Sequence, residues 1–314
     1  MMNTLVIALG GNALQEAGQP ATAENQLEVV RQTAQRIAEL ARGNRLLIVH
    51  GNGPQVGRLV LQNEYAAPIT PAMPFDVCGA MSQGLIGYHL QQALTEAMAA
   101  RGIGKRAVTL LTQVVVDQDD PGFSNPTKPI GPFYSQAEAQ QIARDKGYAM
   151  KEDAGRGWRR VVASPQPIRI VELDAIRALA DNGFVPICVG GGGIPVLASG
   201  SDHLEGTAAV IDKDLAAQRL AQDMGAQLLL ILTAVDQIAI HYNKPTQQNL
   251  SRLSANEAEG YLREGHFAPG SMGPKVEAAI QFVRSAPGRR AIVTSLDKAE
   301  EALRGEAGTE IYQA

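Results

Sequence analysis

The 314-residue sequence is poor in cysteine, in net charge and in long apolar runs. Its two cysteines, Cys78 and Cys188, cannot build a disulfide framework and fit a reducing compartment. With 28 basic and 32 acidic residues the formal charge is −4, so no basic surface for nucleic acid is predicted. No apolar run reaches the roughly 18 residues that would span a bilayer, and no basic residue precedes Arg31, as a secretory signal requires. These absences favour a cytoplasmic protein that binds neither nucleic acid nor membrane.

Several familiar catalytic motifs are also missing. The dinucleotide fingerprint G-x-G-x-x-G, started at position 190, would need glycine where Pro195 stands. The only Gly-Lys pair, Gly104-Lys105, is followed by Arg106 and not by the Ser or Thr of a P-loop. No H-E-x-x-H, C-x-x-C or G-x-S-x-G occurs, so zinc peptidase, thiol redox and serine hydrolase chemistry lack support.

The sequence does contain ample material for a packed core. Hydrophobic residues make up 45% and charged residues 19%, which excludes disorder. Apolar runs without polar alternation predict strands buried on both faces of a parallel sheet, at 5–9, 45–50, 107–116, 184–189, 227–233 and 290–294. Apolar spacings of three and four predict helices at 25–42, 81–101, 171–182, 214–224 and 275–285. Strands alternating with helices predict an α/β fold with the sheet between helix layers.

One segment, 117–167, interrupts this alternation. It holds six prolines, a basic stretch at 155–160 and one short helical pattern at 135–146. Prolines at this density punctuate regular structure. We therefore predict a subdomain that stands off the main sheet, inserted in a single domain of residues 1–314.

Glycine is in excess, with 32 residues where about 7% is usual. Four glycine-rich turns stand out, three at the carboxyl ends of predicted strands and one before a helix. Open α/β sheets bind ligands at such strand ends, and glycine lets backbone N–H groups approach phosphate oxygens. The alternative is that these glycines only close tight turns. The turns lie at 10–12, 50–54, 190–195 and 270–275.

Three lysines could supply the positive charge for a phosphate site. Lys128 lies between prolines that stiffen the backbone, but a loop lysine can equally be a surface charge. Lys213 begins a predicted helix, where Asp212 or Asp214 could simply cap free N–H groups. Lys275 is hardest to explain without an anion, because a cation at a helix N-terminus opposes the dipole. Three lysines, an aspartate that holds them and Mg²⁺ on nucleotide phosphates would meet the needs of phosphoryl transfer.

Eight stretches match one known family in order along nearly the whole chain. With them the sequence resembles the carbamate kinases, a branch of the amino-acid kinase superfamily. Acetylglutamate kinases carry a lysine two residues before Gly10, whereas Ala8 stands here and Lys128 replaces it, as in carbamate kinases. The stretches are ALGGNAL (8–14), VHGNGPQVG (49–57), DVCGAMSQGLIGY (76–88), NPTKPIGPFY (125–134), EDAGRGWRRVV (152–162), GGGGIPV (190–196), AVIDKDLAA (209–217) and GSMGPK (270–275).

The resemblance implies a fold, an activity and an assembly. The fold is an open α/β/α sandwich around a mainly parallel sheet, the amino-acid kinase fold, with a protruding subdomain. The activity is reversible phosphoryl transfer between ATP and carbamate, and the expected physiological direction is toward ATP, from ADP and carbamoyl phosphate. The assembly is a homodimer. Mg²⁺ is the cofactor, held mainly by the nucleotide phosphates and not by a metal site of the protein.

The resemblance also assigns roles to residues. Lys128 reaches the transferring phosphoryl group, and Asp214 organises the lysines on the nucleotide phosphates. The implied catalytic residues are Lys128, Lys213, Asp214 and Lys275. The implied substrate-binding residues are Gly10, Gly11, Asn12, Gly51, Asn52 and Gly53. The implied nucleotide-binding residues are Lys213, Thr233, Ala234, Val235, Met272, Gly273 and Lys275.

Two positions depart from the family pattern. Ala239 stands where a bulkier residue, often tyrosine, is usual, and Arg58 stands where a neutral residue is usual. Two alternative functions therefore stay open, since site residues alone do not guarantee turnover. One is a kinase of another small carboxylate or carbamate-like anion, and the other is a paralogue that binds nucleotide or carbamoyl phosphate without turnover.

Overall fold

The computed structural model describes residues 3–16, 18–153, 155–199 and 203–313. Met1 and Met2 of the predicted apolar start, and Ala154 of the predicted insertion, lie outside the described residues. The strands are β1 (Asn3–Leu9), β2 (Asn44–His50), β3 (Ala107–Thr109), β4 (Gln113–Val115), β5 (Lys128–Tyr134), β6 (Met150–Glu152), β7 (Trp158–Val162), β8 (Arg169–Ile170), β9 (Val185–Ile187), β10 (Ile194–Ser199), β11 (His203–Gly206), β12 (Leu228–Thr233), β13 (Ile238–Ile240), β14 (Gln248–Leu250), β15 (Arg252–Ser254), β16 (Arg290–Ser295) and β17 (Thr309–Tyr312). The α-helices are α1 (Ala23–Ile37), α2 (Gly53–Ala66), α3 (Phe75–Ala100), α4 (Pro121–Ser124), α5 (Gln136–Lys146), α6 (Leu173–Asp181), α7 (Lys213–Asp223), α8 (Ala255–Arg263), α9 (Met272–Arg284) and α10 (Ala299–Leu303).

The centre of the molecule is an eight-stranded sheet in the order β15-β17-β16-β12-β1-β2-β9-β3. Its strand pairs are parallel except β16 with β17, which run antiparallel. The strand β1 lies in the middle, where Leu5 pairs with Leu228 on one side and Leu46 on the other. Such a strand is covered on both faces, which explains its unbroken apolar sequence.

The two faces of the sheet build two separate hydrophobic cores. Leu5, Ile7 and Leu9 point to one face and pack with α1, α3 and α10. Val6 and Ala8 point to the other face and pack with α6, α7, α8 and α9. Side chains of a strand alternate between faces, so one strand serves both helix layers. The predicted α/β/α sandwich around a mainly parallel sheet is confirmed.

The prediction of one strand over 107–116 is wrong. The chain leaves the central sheet after β3 and enters a second sheet as β4, in the order β11-β10-β4-β8. Gln83 on α3 holds the break, because its amide donates to the Thr112 carbonyl (3.1 Å) and accepts from the Thr112 N–H (2.9 Å). A long-range side-chain contact of this kind has no local signature in an apolar run.

The sequence patterns also missed α2. Gly53, Pro54 and Gly57 are turn signals by composition. Proline fits the first turn of a helix, where its missing N–H has no partner to lose. At Gly57 an added Cβ would lie 2.0 Å from the Gly131 nitrogen, so the glycine allows β5 to lie directly against α2.

The segment predicted as an insertion holds its own small sheet. The strands β5, β7 and β6 pair antiparallel, and none of them joins the eight-stranded sheet in the part of the chain described. Helix α5 begins with a capping box, in which Ser135 and Glu138 each satisfy the other's backbone N–H. The extent of the subdomain as 117–167 stays a prediction. Among the helices described, none is both long and apolar enough to cross a membrane.

Candidate active site

Two of the predicted turns lie side by side at the carboxyl edge of the central sheet. Gly10 follows β1 and Gly51 follows the neighbouring β2. The Gly10 N–H donates to the Leu232 carbonyl (3.1 Å), and the Gly51 N–H donates to the Leu9 carbonyl (3.2 Å). These two N–H groups therefore bind the turns to the strands. A bound anion would first meet the N–H groups of the residues that follow in each turn, Gly11 with Asn12 and Asn52 with Gly53.

The glycine at 51 makes room for a lysine. A Cβ there would lie 3.3 Å from Cδ of Lys213, and at Gly10 a Cβ would lie 2.9 Å from the Leu232 oxygen. Both distances are shorter than ordinary van der Waals contact. Asn52 contributes differently from the expectation, since its amide donates to Ser82 Oγ (2.8 Å) and its side chain is buried.

At the third turn, 190–193, other parts of the chain occupy the space that a ligand would need. All four glycines are buried, and a Cβ at Gly190 would meet Nε2 of His50 at 2.5 Å. At Gly191, where φ is +68°, a Cβ would meet the Asn52 amide at 2.2 Å. This run lets the chain pack against the second turn, and it presents no open cradle for phosphate.

Five charged residues from three distant parts of the sequence meet at the start of α7. Asp214 accepts from Lys213 and, at 2.9 Å, from Nζ of Lys275 at the start of α9. Its neighbour Asp212 accepts from Nζ of Lys128 (2.5 Å), which comes from β5 of the insertion. The structure thus brings together all four residues predicted to be catalytic. The anion that Lys275 lacked in the sequence argument is supplied by Asp214.

Asp212 is the functional candidate that sequence reasoning missed. It was considered only as a helix cap, and it does cap α7, because its Oδ1 accepts from the Asp214 N–H (2.8 Å). The other carboxylate oxygen binds Lys128 at the same time. The cap could be seen in the sequence, but the lysine on its second oxygen could not, because that contact joins positions 84 residues apart.

Burial and opposite charge act against each other in this cluster. Burial alone raises the pKa of Asp214, but the ammonium groups of Lys213 and Lys275 outweigh it and hold that pKa below its usual range. Burial lowers the pKa of Lys213, whereas Asp214 keeps the pKa of Lys275 raised despite its burial. Because broken buried ion pairs leave uncompensated charge, these lysines are held in a fixed arrangement until a ligand arrives.

His50 lies beneath the same cluster in its uncharged form. Burial, joined by repulsion from Lys213, lowers the pKa of His50 to about 4. Its Nδ1 lies 2.9 Å from the carbonyl oxygen of Gly51, within hydrogen-bond distance. The histidine therefore supports the second glycine turn from below without adding charge to it.

The predicted nucleotide-side residues form two groups. Thr233 ends β12 beside the first turn, where a Cβ on Gly10 would lie 3.8 Å from the Thr233 Cα, and Ala234 and Val235 follow it. Met272 and Gly273 begin α9, and the Gly273 N–H donates to the Ala268 carbonyl (3.0 Å). In the residues described, no hydrogen bond joins the two groups. Their role in nucleotide binding stays a prediction.

The two departures from the family pattern have different surroundings. Arg58 on α2 donates to Gln15 Oε1 (3.1 Å), close behind the first turn. Ala239 is 8% exposed and pairs with Asn249 across β13 and β14, so a larger side chain there would have to displace neighbours.

Comparison with known proteins identifies the family. The model of the amino acid kinase family matches residues 3–295. The chain is 55% identical to a carbamate kinase of Clostridium perfringens over 98% of this chain and 99% of that protein. It is 51% identical to the carbamate kinase-like protein YqeA of Escherichia coli over the full length of both. A Giardia lamblia carbamate kinase bound to AMP-PNP superposes with a TM-score of 0.90 at 44% identity, covering 100% of this chain and 99% of that one. The chain belongs to the amino acid kinase family and, within it, to the carbamate kinases.

Proposed function

We propose that this chain transfers a phosphoryl group between ATP and carbamate, and that it works toward ATP when carbamoyl phosphate and ADP are supplied. The observation that carries the proposal is the convergence of three lysines on two aspartates, Asp212 and Asp214, at the carboxyl edge of the sheet. Phosphoryl transfer needs positioning and positive charge far more than covalent chemistry. Three buried or half-buried ammonium groups around one point provide both.

The three lysines divide the work by where they come from. Lys213 and Lys275 lie in the first turns of helices that pack on the central sheet, so they hold the nucleotide phosphates in a fixed place. Lys128 comes from the insertion, binds Asp212, and is the lysine that reaches the moving phosphoryl group. Asp214 orients Lys213 and Lys275, while the turns at 10–12 and 51–53 receive the carbamate side through backbone N–H groups.

We propose that magnesium enters this site as a companion of the nucleotide. Both aspartates of the cluster already accept from lysines, and no group of three or more possible metal ligands exists in the chain as described. When bound with the nucleotide, the ion neutralises phosphate charge. The protein's own residues orient the phosphates and keep the lysines in place.

A coupled assay for ATP tests the proposal. Purified protein is mixed with ADP, Mg²⁺ and carbamoyl phosphate, and ATP is measured against an enzyme-free control and against a sample with EDTA. We expect ATP formation that depends on both protein and Mg²⁺. Formation at the enzyme-free rate would favour the paralogue that binds without turnover.

The second candidate function is a kinase of another small carboxylate, and the same assay tests it. It is kept because one relative at 51% identity is named only as carbamate kinase-like. Acetyl phosphate replaces carbamoyl phosphate as the phosphoryl donor. If acetyl phosphate gives the higher kcat/KM, the chain is a kinase of another small carboxylate. If carbamoyl phosphate does, the primary proposal stands.

We also propose a homodimer that forms through α3. Met81, Leu85 and Tyr88 lie at spacings of four and three and are 41%, 36% and 64% exposed, so they form an apolar stripe on one helix face. The substitution Leu85→Arg should disrupt the dimer, so that light scattering gives the mass of a monomer in place of that of a dimer. Ile168→Arg, at another exposed apolar residue, serves as the control and should leave the mass unchanged. A monomer mass for the wild type would contradict the proposal.

The cytoplasm is the proposed location. Cys78 and Cys188 are both buried free thiols, as expected in a reducing compartment. Fractionation of cells that express the chain, with immunodetection, tests it. Recovery from a secreted or membrane fraction would contradict it.

A further inference from the structure

The basic motif at 155–160 has no part in the proposed phosphoryl transfer, yet one of its arginines reaches the second glycine turn. Arg159 lies on β7 and is 9% exposed. Its Nε donates to the Gly131 carbonyl (3.1 Å), and its Nη1 donates to Asp153 (3.2 Å). The guanidinium carbon lies 5.1 Å from the centre of the Phe133 ring. Three contacts thus fix the plane of the side chain.

The third nitrogen has no partner. Nη2 of Arg159 is buried and makes no hydrogen bond within the described residues. It lies 3.9 Å from the position that a Cβ on Gly53 would occupy. A buried donor without an acceptor costs free energy, and more so when it carries charge. An unpaired guanidinium nitrogen therefore calls for an acceptor at this point.

The same point is the N-terminus of α2. The helix has 14 residues, its N-cap residue Asn52 makes no side-chain cap, and no acidic residue lies in its first turn. The first N–H groups of a helix and its dipole attract anions. Two independent features, a free guanidinium nitrogen and an uncapped helix start, converge on Gly53.

The neighbourhood places this point next to the proposed chemistry. The Pro129 oxygen, one residue beyond Lys128, lies 3.3 Å from the same Cβ position on Gly53. Lys213 lies beside Gly51, two residues earlier in the turn. The lysines bind the phosphoryl group of the substrate on the Gly51 side of the turn. The Gly53 side is therefore left for the carbamoyl group, which is not transferred.

We infer that Arg159 is a substrate-binding residue whose free Nη2 donates to an oxygen of the carbamoyl group, together with the first turn of α2. The inference rests on the proposed function and extends it to a residue from the inserted sheet. The carbonyl oxygen of the carbamoyl group becomes a carboxylate oxygen of carbamate when the phosphoryl group leaves, and a charged guanidinium N–H is a strong donor to that oxygen in both states.

Steady-state kinetics of Arg159→Gln test the inference, with KM measured separately for carbamoyl phosphate and for ADP. We expect the KM for carbamoyl phosphate to rise at least tenfold, with the KM for ADP within twofold and kcat within about threefold, since a contact made equally in ground and transition states changes KM alone. The matched control is Arg156→Gln. Arg156 also lies over Phe133 (5.1 Å) and pairs with Asp153 (3.1 Å), but its side chain is 63% exposed. Both KM values of the control should stay within twofold of wild type.

Chemical rescue separates binding from folding. In Arg159→Ala, millimolar guanidinium chloride should restore a low KM for carbamoyl phosphate, which a purely structural role for the arginine would not allow. A parallel rise of both KM values, a lowered melting temperature with unchanged KM values, or no rescue would each overturn the inference. If the wild type itself makes no ATP, the proposed function fails, and calorimetric titration with carbamoyl phosphate alone decides about Arg159. Equal affinity for wild type and Arg159→Gln would then overturn the inference.

Discussion

The two aspartates at the start of α7 hold their lysines in different ways. Asp214, Lys213 and Lys275, the Asp214 group, all stand on helices that pack against the central sheet, and the Asp214 side chain is 2% exposed. Asp212 and Lys128, the Asp212 pair, join α7 to the inserted sheet, and the lysine side chain is 22% exposed. The first arrangement is built into the core, whereas the second links two parts of the chain. A nucleotide would thus find its lysines in place, and the phosphoryl group would have to draw Lys128 away from Asp212.

The largest effect should come from Lys128→Ala, which removes the ammonium group supplied by the inserted sheet and leaves the Asp214 group intact. We expect kcat to fall by roughly 10³ or more, by analogy with charge-supplying residues in other phosphoryl transfers. If the side chain acts only in the transition state, kcat and kcat/KM fall together. Lys146→Ala is the control, because this lysine lies in the same insertion and pairs with Glu64. A Lys128 variant within about threefold of wild type would remove it from the catalytic set.

Asp214→Asn tests the Asp214 group, the other member of the comparison. The change leaves Lys213 and Lys275 unscreened against each other in a buried place, so we expect turnover to fall about 10²-fold and the free energy of unfolding by about 3–5 kcal/mol. Nucleotide binding should survive, since the aspartate orients lysines and does not itself face substrate. Asp223→Asn, at the other end of α7 and paired with Arg219, is the matched control. Unchanged turnover would reduce Asp214 to a structural residue.

Because His50 is buried in its uncharged form, the free energy of unfolding depends on pH. Its pKa is about 4 in the folded chain and 6.5 in the reference state, so the unfolded chain binds the proton first as the pH falls. Folding is therefore weakened between pH 6.5 and pH 4, by about 3 kcal/mol in total at roughly 1.4 kcal/mol per pKa unit. Denaturant unfolding of wild type and His50→Gln across this range measures it. The two curves should converge toward low pH, and parallel curves would contradict the prediction.

Gly57→Ala tests whether the Asp212 pair depends on the docking of the inserted sheet. The added methyl group would lie 2.0 Å from the Gly131 nitrogen, so β5 has to shift away from α2 and carry Lys128 with it. We expect kcat to fall about tenfold, equivalent to about 1.4 kcal/mol, with the nucleotide affinity unchanged. Gly260→Ala on α8 is the control, because its methyl group meets nothing within 4 Å. Equal activity of the two variants would show that docking does not position Lys128.

The smallest effect should come from Asp212→Asn, which sharpens the comparison. Asparagine keeps the cap on α7 but not the ion pair with Lys128. Without a competing carboxylate the phosphoryl group gains Lys128 more easily, so we expect the KM for carbamoyl phosphate to fall severalfold. Because Lys128 is then less ordered, kcat should also fall severalfold, on the order of 1 kcal/mol. A raised KM would show that Asp212 helps to bind substrate.

Local chemistry in the sequence determined a good part of this protein. Unbroken apolar runs such as that of β1 predicted a parallel sheet, and the glycines at 10 and 51 marked turns where an added Cβ would lie only 2.9 Å and 3.3 Å from a neighbouring atom. Four of the five charged residues that meet at the start of α7 could be named from their motifs. Each of these features depends on neighbours in the chain or on one residue type that alone fits the space.

Only the tertiary structure decided how these parts act together. The break of 107–116 into two strands depends on a contact with Gln83. The second role of Asp212 depends on Lys128. The unpaired nitrogen of Arg159 gains a possible function only because it lies beside Gly53. In the same way, the side chains of His50 and Asn52 occupy the space beside the glycines of 190–193, although the composition of this turn resembles that of the open turns. In each case the partner is distant in sequence, and a contact between distant residues exists only once the chain has folded around a common core.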